Sequence, residues 1–171
     1  MTVTTMLCEE TIKTAYNELA PKLTNYLVAG GLDYASACDI TQEAFIRLWK
    51  KREKFSEHDS ISGFIFAVAK NLQIDRYRRN KIITLQDKFE SASCGTAGQE
   101  PYKDDLSYLR TRLRQALDKL SDSQRNAYTL FQIAGRSIKE IAQITGSSEA
   151  NVKVRIHRAK EKLTILLQDL Q

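Results

Sequence analysis

The side chains best placed to do chemistry lie near the end of the chain, and their chemistry is recognition. Stepping about 100° per residue from Val152, Val152, Ile156, Ala159 and Leu163 share one helical face. The opposite face gathers Ala150, Asn151, Val154, His157 and Arg158. Lys153 and Lys160 line one flank, Arg155 and Lys162 the other. A strip of small and polar side chains between rows of cations suits a DNA groove, the strip reaching base edges and the flanks reaching phosphates. Arg158 is the strongest base reader, because a guanidinium pairs bidentately with guanine. His157 points the same way. Ser148 is the expected N-cap, which turns the positive end of the helix toward a phosphate backbone. Glu149 and Glu161 dilute the field and lower unaided affinity.

A Lys/Arg-rich helix by itself is usually only a solvated surface. Its neighbour changes the reading. Ser137-Ile-Lys-Glu140 has the capping-box pattern, Ile138, Ile141 and Ala142 offer an apolar face, and Gly146-Ser-Ser makes a turn. A capped short helix, a tight turn and a basic second helix form a helix-turn-helix. Other chemistries find little support. Cys8, Cys38 and Cys94 are far apart and neither histidine has a close cysteine, so zinc or dithiol chemistry lacks its spacing. There is no Gly-rich phosphate loop and no nucleophile motif, and no metal or cofactor is expected. Asp39 and Glu43 imitate a paired-carboxylate site, but one helical turn apart they read, by spacing alone, as a solvated acidic face of a helix.

These residues need helices to position them, and the pattern supplies helices throughout. The chain has 171 residues, with seven Gly and two Pro and 42% hydrophobic side chains. That is enough for one domain or two small ones. The net charge of +5 is compatible with a polyanionic partner without proving one. No apolar run approaches the roughly 20 residues that span a bilayer, and the first residues lack a signal-peptide pattern, so the expected location is the cytoplasm.

Apolar residues at helical spacing predict a first helix from Glu9 to Ala29, with Pro21 as a possible kink and Gly30-Gly31 as its end. Asp33 is placed to cap a second helix, which runs to about Lys54. After the polar stretch Phe55–Ser60, a third helix carries Phe64, Ile65, Val68 and Leu72 and finishes in Arg76, Arg78, Arg79 and Lys81. The period breaks between about Ile83 and Asp105, which reads as a flexible linker. It divides the chain into domains at 1–82 and 106–171. Helix resumes with Leu106, Leu109, Leu113, Leu117 and Leu120, and Ser121-Asp-Ser-Gln124 opens another with a capping box, closed by Gly135. The expected fold is all-α: two small helical domains joined by a flexible linker, the C-terminal one holding the helix-turn-helix.

Two long stretches and the last helix carry a more specific likeness. Asp39-Ile-Thr-Gln-Glu-Ala-Phe-Ile-Arg-Leu-Trp49 resembles the polymerase-binding helix of bacterial sigma factors. Phe64-Ile-Phe-Ala-Val-Ala-Lys-Asn-Leu-Gln-Ile-Asp-Arg-Tyr-Arg-Arg79 resembles their promoter-melting, minus-ten helix. Ser148-Glu-Ala-Asn-Val-Lys-Val-Arg-Ile-His-Arg-Ala159 is similar to their minus-thirty-five helix. Order, spacing and length resemble the extracytoplasmic-function (ECF) subgroup, which keeps only the second and fourth conserved regions.

The resemblance implies roles residue by residue. Asp39, Gln42 and Glu43 would face the clamp helices of the polymerase's largest subunit, while Ile40, Ala44 and Trp49 would pack inward. Phe55, Ser56, Glu57, His58, Asp59 and Ser60, with Asn71, would form a pocket for one flipped minus-ten base, which needs polar edges and a stacking wall. Arg76, Arg78 and Arg79 would hold the exposed strand by charge. Ser148, Asn151, Lys153, Val154, Arg155, His157 and Arg158 would meet the minus-thirty-five duplex. Phe64 stands where the family often has Trp, and Ala67 where it often has Arg. The second change removes a cation beside the melting surface. Asn151 and Val154 replace the usual Thr and Ser, so promoter preference does not transfer. Core RNA polymerase, promoter DNA and an anti-sigma protein are the implied partners, with no direct membrane insertion. The expected function is promoter-specific initiation with DNA melting, no bond being made or broken by the chain. The rival is a stand-alone helix-turn-helix regulator that binds palindromic duplex as a dimer.

Overall fold

The structure, a computed structural model, describes residues 7–55, 60–87 and 105–168, at 80–87 and 105–107 by the backbone alone. Among the described residues there is helix and no strand. The order is α1 (Glu9–Ala29), α2 (Tyr34–Lys51), a 3-10 turn (Arg52–Lys54), α3 (Ile61–Asp87), α4 (Asp105–Asp118), α5 (Asp122–Gln132), α6 (Ile138–Thr145) and α7 (Glu149–Leu166). Helices α1–α3 make one bundle and α4–α7 a second.

Local chemistry explains most of the ends. At α2 the Asp33 carboxylate accepts from the Ser36 backbone N–H at 2.9 Å and from its hydroxyl at 2.5 Å. These hydrogen bonds hold the Asp33 carboxyl below the usual carboxylate range. Ser121 and Ser137 both close complete capping boxes, with Gln124 and Glu140. Pro21 neither splits nor ends α1. The last turn before Phe55 tightens to 3-10, so α2 itself stops at Lys51, short of the expected Lys54. Helix α3 continues to Asp87, past the expected boundary at 82. Nothing between Ile83 and Asp87 breaks a helix: the first Gly or Pro after them is Gly95. Leu85 and Phe89, the next large apolar residues after Ile83, fall outside the described side chains.

Tyr26, Leu23 and Leu27 of α1, Leu48 of α2, and Ile65 and Phe66 of α3 are fully buried. Removing each aliphatic side chain from water contributes roughly 1.5–3 kcal/mol. Gly30 ends α1 where α3 comes close. Its carbonyl accepts from Tyr77 Oη at 2.6 Å and Gln73 Nε2 at 3.3 Å, and a Cβ there would lie 2.3 Å from Gln73. In the second bundle, Val152, Ile156, Ala159 and Leu163 of α7 are buried as the pattern predicts. Of the leucine series in α4, however, Leu109 and Leu113 are exposed, and the helix packs on α7 through Ala116, Leu117 and Leu120. Among the described residues, the apolar contact is made by its last turn and by Leu120 just after it.

The two bundles touch. Leu130, Ala134, Ile141, Ile144 and Val152 belong to the same apolar cluster as Phe66 and Tyr26. Tyr26 Oη donates to Asn126 Oδ1 at 3.3 Å, and burial raises the Tyr26 phenol well above its ordinary pKa.

Candidate nucleic-acid and polymerase interfaces

Helix α7 presents its cationic face to solvent because its other face is occupied. The turn before it depends on Gly146, whose φ of 63° is left-handed and favours glycine. Ser148 then caps α7, accepting from the Asn151 N–H at 3.3 Å. Ala150, Asn151, Val154, His157 and Arg158 are all exposed, as the helical wheel requires. The flanks are less free than they look in sequence. Arg155 Nη1 donates to Ser147 Oγ at 2.9 Å, Lys162 Nζ donates to the Lys119 carbonyl at 2.6 Å, and Lys160 lies 5.3 Å from the Phe131 ring centre. His157 Nδ1 sits 3.3 Å from Glu161. Lys153 and Arg158 are exposed cations whose side chains make no ion pair or hydrogen bond among the described residues. They keep their full donor capacity for a ligand.

On α2, Asp39 and Gln42 are exposed and Glu43 is half-buried, paired with Arg47 at 2.8 Å. The expected inward packing holds for Ile40 and Ala44 but not for Trp49, which is 40% exposed. The reason is angular. Trp49 lies nine residues after Ile40, and nine steps of about 100° end on the opposite side of the helix. Leu48 fills the inward position instead. Trp49 carries the Arg52 guanidinium over its ring at 4.5 Å. With Ile46, 47% exposed, it extends the acidic face into a stripe that is polar at one end and apolar at the other. Ile46 and Trp49 were missed as surface residues. The i, i+3, i+4 progression from Asp39 through Gln42 and Ile46 to Trp49 is the signal that finds them.

The third surface lies where the 3-10 turn meets α3. Phe55 is buried and meets Phe64 edge-on, ring centres 5.6 Å apart. Lys51 Nζ lies 5.3 Å from the Phe64 ring centre. Beside them opens a cleft of about 540 Å³, walled by Phe55, Ser60, Gly63, Phe64 and Ala67 from one bundle and Gln143 and Ile144 from the other. Lys51 and Lys54, not foreseen in the sequence, also line it. An aromatic wall with cations beside it is what an unstacked base and its phosphate require. Asn71 is exposed one turn past Ala67 and does not line the cleft. Arg78 and Arg79 are exposed and Arg76 half-buried farther along α3. Ser56, Glu57, His58 and Asp59 lie outside the described residues, as does the Lys81 side chain.

A helix-turn-helix bundle thus lies beside a bundle that carries an exposed acidic helix face and an aromatic cleft, and comparison with known proteins gives the class. Residues 15–82 match the family described as sigma-70 region 2, and residues 110–163 match sigma-70 region 4. The chain belongs to the ECF RNA polymerase sigma factors. It is 32% identical over 145 residues to the ECF RNA polymerase sigma factor SigW of Bacillus subtilis, covering 77% of this chain and 75% of SigW. It is 30% identical over 159 residues to the RNA polymerase sigma factor YlaC of the same organism, 90% of each chain being covered. Two solved structures share the fold. The sigma factor RpoE of Bartonella quintana, in complex with the anti-sigma factor NepR, aligns with a TM-score of 0.75 at 23% identity, covering 93% of this chain and 98% of RpoE. CnrH, in complex with the cytosolic domain of CnrY, aligns at 0.73 with 21% identity, covering 95% and 90%. Sigma factors regulate transcription and are not known as catalysts. No helix among the described residues is long and apolar enough to cross a membrane.

Proposed function

We propose that this chain binds core RNA polymerase through the α2 stripe, carries it to specific promoters and helps to open the duplex there. The single observation that supports this best is the division of exposed surface. Helix α7 offers free cations and a small-residue strip suited to intact duplex, while the aromatic cleft and arginines of α3 suit a separated strand. Asp39, Gln42 and Glu43 would meet basic residues on the polymerase, and Trp49 and Ile46 would bury apolar area at the same contact. Phe64 and Phe55, with Ser60, would receive an extruded base, and Arg76, Arg78 and Arg79 would hold the backbone beyond it. Asn71, outside the cleft, would meet the strand one turn farther along. Melting on this reading is a population shift: each captured base stabilises the open duplex by about 1–3 kcal/mol, comparable with the cost of unstacking it. The chain makes and breaks no bond and works in the cytoplasm, where polymerase and promoters are. The RpoE and CnrH complexes support an anti-sigma protein as a further partner.

The test is a gel shift on genomic promoter fragments with and without core enzyme. Weak duplex binding alone, and a specific complex once core enzyme is added, is the expected result. Tight binding to palindromic duplex by a dimer of the chain alone contradicts the proposal and supports the stand-alone regulator.

A further inference from the structure

Arg136, in the turn between α5 and α6, reaches across to the other bundle. Its guanidinium Nη1 donates to Ser62 Oγ on α3, and the same group lies 5.1 Å from the Phe66 ring centre. It also faces Glu140 at 3.4 Å, and its Nε donates to the Ala134 carbonyl at 3.1 Å, so the arm is fixed at its base. At the other end of α6, Lys70 of α3 donates to the Ile144 carbonyl at 3.1 Å. A cation placed there satisfies a C-terminal carbonyl and the negative end of the helix dipole. Ser62, Phe66 and Lys70 are spaced i, i+4, i+8, so α6 lies along one side of α3 for about 12 Å. That side borders the strip from Gly63 and Phe64 to Ala67 that walls the cleft. Ala67 and Gly63 are small, which lets Ile144 and Gln143 form the opposite wall.

This closed arrangement conflicts with the proposed function. Elements at minus ten and minus thirty-five are about 25 base pairs apart, or about 85 Å of duplex at 3.4 Å per pair. A compact chain of this length has a radius of gyration of about 16 Å, hence a diameter of about 40 Å. Touching both elements at once requires the bundles to separate. The seventeen residues between Asp87 and Asp105 can reach at most about 60 Å, so the covalent chain permits it.

We infer that Arg136 is a latch: it holds α6 along α3 in the free chain and sets the free-energy cost of opening that polymerase must meet. The inference rests on the proposed function, but its conformational half can be tested without polymerase. Only part of the DNA-binding surface is affected. The recognition face of α7 stays exposed in the closed chain, whereas α6 walls the minus-ten surface and draws the Lys70 ammonium toward Ile144.

The experiment compares full-length wild type, Arg136→Ala, Ser62→Asp and the double variant by small-angle X-ray scattering and by titration onto core RNA polymerase. Far-ultraviolet circular dichroism checks the helix content of each. Arg136→Ala should expand the free chain and bind core enzyme about tenfold more tightly, a typical coupling between two conformations. Ser62→Asp gives the latch an ionic partner, so it should keep the chain compact and weaken core binding several-fold by the same coupling. In the double variant the Ser62→Asp effect should vanish. Equal scattering from wild type and a folded Arg136→Ala overturns the latch, as does an already extended wild type. If Arg136→Ala loses its helix content, Ser62→Asp decides: unchanged core affinity overturns the inference. Should no variant bind core enzyme while scattering still shows opening, the latch stands and the functional reading fails.

Discussion

Arg158 is the side chain on which duplex specificity should depend most. It is exposed and makes no hydrogen bond or ion pair among the described residues, so removing it leaves the fold undisturbed. A good bidentate contact discriminates its base by about 1–3 kcal/mol. Arg158→Ala should therefore flatten the preference at one upstream position by about ten- to a hundredfold, with an unchanged melting temperature. Transcription from a promoter library with that position randomised would show it. Glu140 makes a different prediction. Burial pushes its carboxyl up, but hydrogen bonds from the Ser137 backbone and hydroxyl, with the Arg136 charge, outweigh it and hold the group below its ordinary value. Its folded pKa is thus lower than its unfolded one. The stability it contributes is present above the usual glutamate pKa of about 4.3 and is lost as pH falls through the depressed value. Glu140→Gln should lower the melting temperature at pH 7, and the gap from wild type should close as the medium is taken below that range. A gap that persists in acid contradicts the assignment.

The helices themselves were largely legible in the sequence, because capping boxes and turn glycines mark their ends. Gly146 shows why that chemistry matters to function. Its left-handed φ sets the angle at which α7 leaves α6, and no atom of the described residues lies within 4 Å to obstruct a Cβ. Gly146→Ala should then cost only backbone strain, about 1 kcal/mol, or about 2–4 °C in melting temperature. Calorimetry measures this directly. A far larger loss would mean that the turn is held by packing rather than by conformation. What the pattern left out is equally physical. Trp49 reads as core by residue type, yet its angle around α2 places it outside, beside Arg52. Leu109 and Leu113 keep the helical period of α4, but no neighbour among the described residues covers them. Periodicity tells which residues share a face, not whether another element reaches that face.

The contact between the bundles was not legible at all. Arg136 meets Ser62, and Lys70 meets the Ile144 carbonyl, across 74 residues in each case. No local rule links positions so far apart. The family-like motifs were readable because each is continuous along one helix, and the cleft was only half readable because Gln143 and Ile144 complete it from the second bundle. The surfaces on α2 and α7 lie on different bundles, so a chain that opens can engage polymerase and upstream duplex together. Replacing Asp39 and Glu43 by lysine reverses the exposed end of the α2 stripe. The Glu43–Arg47 pair lost with it is half exposed and worth about 0–1 kcal/mol, so the fold should survive. The most direct measurement is transcription in vitro from a fragmented genomic template by core enzyme reconstituted with this chain. Defined start sites with wild type, and their loss together with co-elution in Asp39→Lys/Glu43→Lys, is the predicted result. Start sites no different from those of core enzyme alone would contradict it.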